Sequence, residues 1–479
     1  MTPSSVFAAT GWKLLEKIGS KGIQIIVQII LARLLVPDDY GVVAILSVFI
    51  SLSNVFIQNG FATSLIQKKE ATQIDFCTAF FSSLGIALLA YIVLFVMAPV
   101  IASFYGMMDL TLCLRVQALV LFAASCAGVQ QAYLSRSLNF RVNTIATLVA
   151  SLLSGVFGVC FALRGWGVWA LIFQQLISNY LAVAFVYLMA DFRLRFFFSM
   201  ESLRALFGYG WKILGSSLIN TLYINMYDLV IGKVYTRELL GLYSRGQQFP
   251  TLLTQNLNDT VQSVTFPLLS QMQDDSVGMK RRMRRALTLD AFVVVPALLG
   301  LATISYEFVY VILGEKWIAA APYMMLLSLV YSTHPIHTMN IQCMKALGRS
   351  DLFLKLEILK KVLEISVLLL TVPHGLMVML WGQVALAVGG IPINVWPTKT
   401  IIGYGTMEQI RDLSPTLFAG AVMCITVRLM ALLPVHMVLK LGLEVVVGAL
   451  VYMGISYFLK NEAMMYLLER MGNRQKEDA

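Results

Sequence analysis

Apolar stretches long enough to cross a bilayer recur along the whole chain, and in a few of them the apolar run is interrupted at helical spacing. Between Trp12 and Leu35 the residues Lys13, Glu16, Lys17, Ser20, Gln24 and Gln28 fall three or four apart. They share one helical face, with Ile, Leu and Val opposite. A charge at bilayer depth costs about 2.5–3.5 kcal/mol on insertion scales, so such a helix must turn its stripe toward water or protein. An amphipathic helix lying at the interface and a helix lining a solvated cavity both satisfy that demand. The remaining pattern favours the cavity.

The pattern predicts fourteen spans, near 12–35, 40–63, 76–104, 110–134, 144–163, 166–189, 211–232, 240–272, 286–313, 317–344, 356–372, 375–398, 413–433 and 436–459. Breakers separate many of them: Pro37-Asp38-Asp39, Arg164-Gly165, Gly314-Glu315-Lys316 and Pro373-His374-Gly375. The connections are short, which leaves no room for a catalytic domain outside the membrane. Hydrophobic residues make up 58% of the 479 positions and charged residues only 13%, far from the soluble globular range. The first ten residues carry no basic stretch and no small-residue cleavage site, which argues against a removed signal peptide.

Charge orients the set. With both termini and the even-numbered connections on one side, that side holds 21 of the 36 Lys and Arg, and the other holds only Arg33, Arg164, Lys233, Arg237 and Lys316. Cytoplasmic loops carry such an excess, so both termini are expected in the cytoplasm. The net charge of +10 and the run Lys280 to Arg285 then read as an orientation signal, with no nucleic-acid partner. The six cysteines lack CxxC spacing and read as small buried hydrophobes, with no disulfide framework and no metal site.

The chain also repeats itself. Gly11-Trp12-Lys13 returns as Gly210-Trp211-Lys212, Tyr40-Gly41 as Leu240-Gly241, and Arg136-Ser137 with Phe140 as Arg349-Ser350 with Phe353. Each unit holds six spans, so both enter from the same side as parallel repeats. The expected organisation is an N-lobe over 1–205, a C-lobe over 206–400, and two further spans with a cytoplasmic tail over 401–479. Two similar lobes around a cleft suit a transporter that alternates access.

The repeat predicts that spans one, two, seven and eight face that cleft, and their polar residues agree. Span seven carries Lys212, Ser216, Asn220, Tyr223, Asn225 and Asp228. In span two Ser47, Ser51, Asn54 and Gln58 share a face, and span eight holds Arg245, Gln248, Gln255, Asp259 and Gln262 with Pro250 able to kink it. Spans five, six, thirteen and fourteen read as packing or lipid-facing helices. Span eleven offers Glu357 with Lys361 and Lys360 with Glu364 as i,i+4 pairs, either neutralising one another or forming a second charged wall. The candidate lining is therefore Lys13, Lys17, Gln24, Asn54, Gln58, Lys212, Asn220, Arg245, Gln255 and Lys361. Such a basic, amide-rich lining suits a ligand with anionic groups and many hydroxyls. No P-loop, GxSxG or HExxH is present, and no cofactor is expected. His334 and His337 share a face without an evident ligand partner, and Pro335 between them marks a kink.

At this point the residues carry a resemblance. Gly11-Trp12-Lys13 and the run Leu31 to Gly41 (LARLLVPDDYG) resemble the N-terminal signature of bacterial polysaccharide flippases. Asn59-Gly60-Phe61, Ala98-Pro99, Phe104-Tyr105, Gly165-Trp166-Gly167-Val168-Trp169-Ala170 and Gly241-Leu242-Tyr243-Ser244-Arg245 are similar to stretches of the same family. That family is the polysaccharide transporter branch of the multidrug/oligosaccharidyl-lipid/polysaccharide exporter superfamily. The resemblance implies an all-α integral membrane protein of about fourteen helices, two six-helix lobes in a V plus two C-terminal helices. It implies a non-enzymatic flippase in the bacterial inner membrane, moving an undecaprenyl-diphosphate-linked oligosaccharide to the periplasmic leaflet for surface glycan synthesis. Its implied partners are that lipid, the surrounding membrane lipids and the glycan polymerase or ligase machinery. It also implies proton or sodium coupling in some members, for which Glu16, Asp228 and Asp259 are the candidates here. A drug exporter or a lipid II flippase of the same superfamily is the near alternative, and a membrane glycan ligase or polymerase a more distant one.

Overall fold

The computed structural model describes residues 3–68, 71–137, 139–190, 197–273 and 275–477, and all elements among them are helical. They fall into two compact units, Met1–Gly241 and Leu242–Ala479.

The first unit contains α1 (Pro3–Leu34), α2 (Pro37–Gln67), α3 (Gln73–Tyr105), α4 (Leu110–Gln117), α5 (Val120–Ser137), α6 (Phe140–Leu163), α7 (Val168–Met189), α8 (Met200–Ile224) and α9 (Met226–Val234), and it ends in the first turn of α10 (Arg237–Ser270). Helix α2 is its centre, packed on α3, α5, α8 and α9. Its start is set locally: Pro37 occupies the first turn, where its missing N–H costs nothing, and Asp38 and Asp39 favour the positive helix end. Its other end is closed from a distance. Arg136 Nη1 donates to the carbonyls of Leu65 (2.9 Å), Ile66 (3.3 Å) and Lys68 (2.5 Å), which the helix itself leaves unsatisfied. Lys68 pairs with Asp75 at 2.8 Å, and Asp75 forms a capping box with Thr72 that opens α3. Small residues let α1, α6 and α7 approach closely, because a Cβ on Gly155 or Gly158 would collide with Val27 or Gln174.

The second unit comprises the rest of α10 and then α11 (Ser276–Thr303), α12 (Ser305–Phe308), a π-helical turn (Val309–Leu313), a 3-10 turn (Glu315–Ala320), α13 (Ala321–Ser332), α14 (His334–Ala346), α15 (Ser350–Thr371), α16 (Leu376–Gly389), α17 (Ile391–Ile402), α18 (Thr406–Met430), α19 (Met437–Phe458) and α20 (Glu462–Glu477). Helix α11 is central here. One of its faces packs Met279, Met283, Leu287 and Ala291 against Met339, Cys343 and Tyr404, and Phe292 meets Met423, Val427 and Tyr452 on another.

Large apolar side chains also cover the outside. On α3 these are Leu88, Leu89, Ile92, Val93 and Val96, and on α19 Leu439, Leu443, Val446 and Leu450. That is the surface of a protein whose solvent is lipid, and among the described residues nine helical segments are long and apolar enough to cross a membrane. The protein is a multi-pass membrane protein. The other expected ranges, including 12–35, 211–232, 240–272 and 356–372, are helical as well. They carry the charges and amides that break up their apolar runs. The breakers act as expected at Gly165, Gly314 and Gly375, each with positive φ. Of the six free cysteines, Cys77, Cys113 and Cys343 are buried as expected, Cys126 and Cys424 are half-buried, and Cys160 is exposed because it lies on the outward face of α6 with Val156 and Leu163.

Candidate functional site

The polar stripe of α1 is anchored to α6. Asn143 Nδ2 donates to Glu16 Oε1 at 2.7 Å, Thr144 Oγ1 donates to the Trp12 carbonyl at 3.0 Å, and the Arg141 guanidinium lies 5.7 Å from the Trp12 ring. Asn143 was not among the expected site residues. The pair Asn143-Thr144 opening an otherwise apolar helix was the signal that a polar neighbour faces it. Further along α1, Gln24 is exposed.

A second polar contact joins α2 to the junction of α8 and α9. The helix breaks at Asn225, whose side chain donates to the Thr221 carbonyl at 2.7 Å and reaches Ser51 Oγ on α2 at 3.5 Å. Gly232 of α9 packs on Ile45 of α2, so the two helices run antiparallel about the Ser51–Asn225 contact. Asp228 and Asn54 therefore lie on opposite sides of it along the helix axes. Each has a buried side-chain oxygen, Asp228 Oδ1 and Asn54 Oδ1, with no hydrogen-bond partner. Asn220, one turn before the break, is exposed, as is Gln58 on α2.

In the second unit Arg245 of α10 donates to Gln248 one turn on, and Gln247 donates to the Tyr331 hydroxyl at 3.1 Å. Gln262 accepts from Gln342 of α14 at 2.5 Å, and Gln255 is exposed. On α15 the pairing differs from the expected i,i+4 arrangement, for Glu357 closes on Lys360 at i,i+3. Lys361 is half-buried beside them. The side chains of Lys13, Lys17, Lys212 and Asp259 lie outside the described residues.

The two histidines of α14 have a structural setting. His337 Nδ1 lies 2.5 Å from Asn394 Nδ2, and its Nε2 lies 2.9 Å from the Ala387 carbonyl. One turn on, Asn340 and Gln409 exchange hydrogen bonds of 2.9 and 3.1 Å, and Thr398 donates to Asn340 Oδ1 at 2.5 Å. These amides tie α14, α17 and α18 together. Sequence reasoning missed them because nothing in the spacing along one helix names a partner on another. Among the described residues no cluster of His, Cys, Asp and Glu is arranged to hold a metal ion.

The chain is similar to known proteins in both sequence and fold. The chain is 26% identical over 333 residues to the succinoglycan biosynthesis transport protein ExoT of Rhizobium meliloti, covering 69% of this chain and 67% of that one. It is 22% identical over 400 residues to the lipopolysaccharide biosynthesis protein WzxC of Escherichia coli, covering 83% and 79%. Its fold is shared with the lipid II flippase MurJ in an inward closed conformation, with a TM-score of 0.74 at 12% identity, over 94% of this chain and 99% of that one. An inward-facing multidrug MATE transporter of the MOP superfamily gives a TM-score of 0.56 at 15% identity, over 79% and 95%. Residues 30–322 match the family described as polysaccharide biosynthesis protein, and the chain belongs to that family.

Proposed function

We propose that this protein is a flippase that carries a lipid-linked oligosaccharide across the bacterial inner membrane by alternating access. The observation that carries the reading is a flippase fold, in a member of a polysaccharide biosynthesis family, whose exposed amides recur on α1, α2, α8 and α10. In this reading the chain makes fourteen spans, with two six-span lobes, two further spans, and both termini in the cytoplasm. It does no bond-making chemistry of its own.

The physical task is to move a diphosphate and several sugars through a region that cannot solvate them. Each unsatisfied polar group costs several kcal/mol in hydrocarbon. A hydrated cleft lowers that barrier while the undecaprenyl tail stays in lipid. Lys13, Lys17, Lys212 and Arg245 compensate the phosphates, with Lys361 as a further cation, and Gln24, Asn54, Gln58, Asn220 and Gln255 serve the sugar hydroxyls. The exposure of Gln24, Gln58, Asn220 and Gln255 supports that role. Glu16, Asp228 and Asp259 are the candidates for exchanging a proton or binding sodium. The unpartnered Oδ1 of Asp228 supports its inclusion.

Expression in a strain lacking its own flippase tests the reading. Restored surface glycan is the expected result. Drug resistance without restored glycan would instead support an exporter of small molecules.

A further inference from the structure

The second unit contains a cavity of about 610 Å³ away from the residues discussed above. It opens where the end of α18 meets the start of α19, beside α12. Its walls include Glu307, Arg428 and Lys440 together with Ile425, Leu429 and Leu432. Since α18 and α19 are both of spanning length and residues 431–436 only connect them, the cavity lies at one face of the membrane.

The charges on its wall are unequal in kind. Lys440 is committed: its Nζ lies 3.5 Å from Glu307 Oε1 and donates to the Ala431 carbonyl at 2.5 Å, and the two paired side chains are 15% and 5% exposed. Glu444, one turn further along α19, is buried, so it balances charge from inside the protein. Arg428 is exposed, and it and Lys440 both act through their charge on the buried Glu444. A guanidinium carries five N–H donors in a fork that matches phosphate oxygens. Around it the wall is apolar, and Ile425, Leu429 and Leu432 are 61%, 63% and 80% exposed, leading from the cavity onto the lipid-facing side of α18.

An exposed guanidinium beside a committed ammonium, at the membrane face, with an apolar track leading away, matches a molecule with a phosphate at one end and acyl chains at the other. We propose that this cavity holds the phosphate of an anionic phospholipid against Arg428, with Lys440 beside it and the acyl chains along Ile425, Leu429 and Leu432. A soluble phosphate fits less well, because it would make no use of the apolar track that leads from the cavity. The site is a lipid site of the protein itself and does not depend on what the protein transports.

Native mass spectrometry of the delipidated full chain, titrated with phosphatidylglycerol, tests this. The phospholipid should be the most tightly retained species, and diacylglycerol of the same chains should bind at least about tenfold more weakly. Arg428→Gln should lower retention by about tenfold, while Arg411→Gln, an exposed arginine near the other end of α18, should leave it unchanged. Lys440→Gln strips buried Glu307 of its partner and threatens folding. Leu432→Glu is the better second probe, since it places a negative charge on an 80% exposed rim position. It should also release the lipid. Equal retention of diacylglycerol, unchanged retention in both variants, or displacement of the lipid by inorganic phosphate would overturn the proposal.

Discussion

Gly41 and Gly241 hold the start of α2 and the start of α10 in backbone contact. A Cβ on Gly41 would stand 1.8 Å from the carbonyl oxygen of Arg237, and one on Gly241 would stand 1.9 Å from the carbonyl oxygen of Pro37. The contact is reciprocal: each glycine meets the residue four positions before the other. Arg237 also pairs with Asp38 at 2.7 Å. No flexible side chain is available to move aside at either position.

Alanine at either glycine must therefore push the helices apart. Gly41→Ala and Gly241→Ala should each destabilise by about 1–3 kcal/mol or more, the range for forcing extra atoms into a packed site. Thermal unfolding in detergent checks this, with Gly11→Ala as a control because a Cβ there meets nothing within 4 Å.

The repeat that located these glycines was legible in the sequence, but their contact was not. Tyr40-Gly41 and Leu240-Gly241 match as words, and only the folded chain shows that they touch. The repeat held one more clue. The offset between the copies grows by one residue between Trp12/Trp211 and Gly41/Gly241. The first copy is one continuous helix there, α1, whereas the second is broken at Asn225 into α8 and α9. Spans were easy to find because lipid exposure demands long apolar runs. Glu16–Asn143 and Asn340–Gln409 were not, because the periodicity of one helix does not name a partner on another. The Glu357–Lys360 pair shows the same limit: spacing admits both i,i+3 and i,i+4, and rotamers decide.

Asn143 should matter through Glu16. Hydrogen bonds to charged groups contribute about 1.5–3 kcal/mol, so Asn143→Leu should destabilise by an amount in that range. The double variant with Glu16→Gln should lose less than the sum of the two single variants. A double-mutant cycle on thermal stability checks the coupling.

Arg136 should matter through α2. Arg136→Ala leaves three carbonyls at the end of a central helix without their donor, at a cost of about 1–3 kcal/mol. Arg136→Lys should recover only part of this, since an ammonium lacks the planar fork. Urea or thermal unfolding of the three proteins side by side gives the order.

Lys13 and Lys212, in the proposed role, should matter for transport and not for assembly. Lys13→Ala with Lys212→Ala is expected to reduce glycan delivery at least about tenfold, the loss of one charge-assisted contact or more, with normal membrane insertion. Surface glycan measured against the protein level in the membrane separates the two effects. Normal delivery by the double variant would remove these lysines from the mechanism.

The most direct measurement is a leaflet assay in reconstituted vesicles with a fluorescent undecaprenyl-diphosphate oligosaccharide, run with and without proton and sodium gradients. The account predicts faster movement of the labelled lipid than in protein-free vesicles, and a further increase under one of the gradients. Movement no faster than in protein-free vesicles, across several glycans and both gradients, would contradict it.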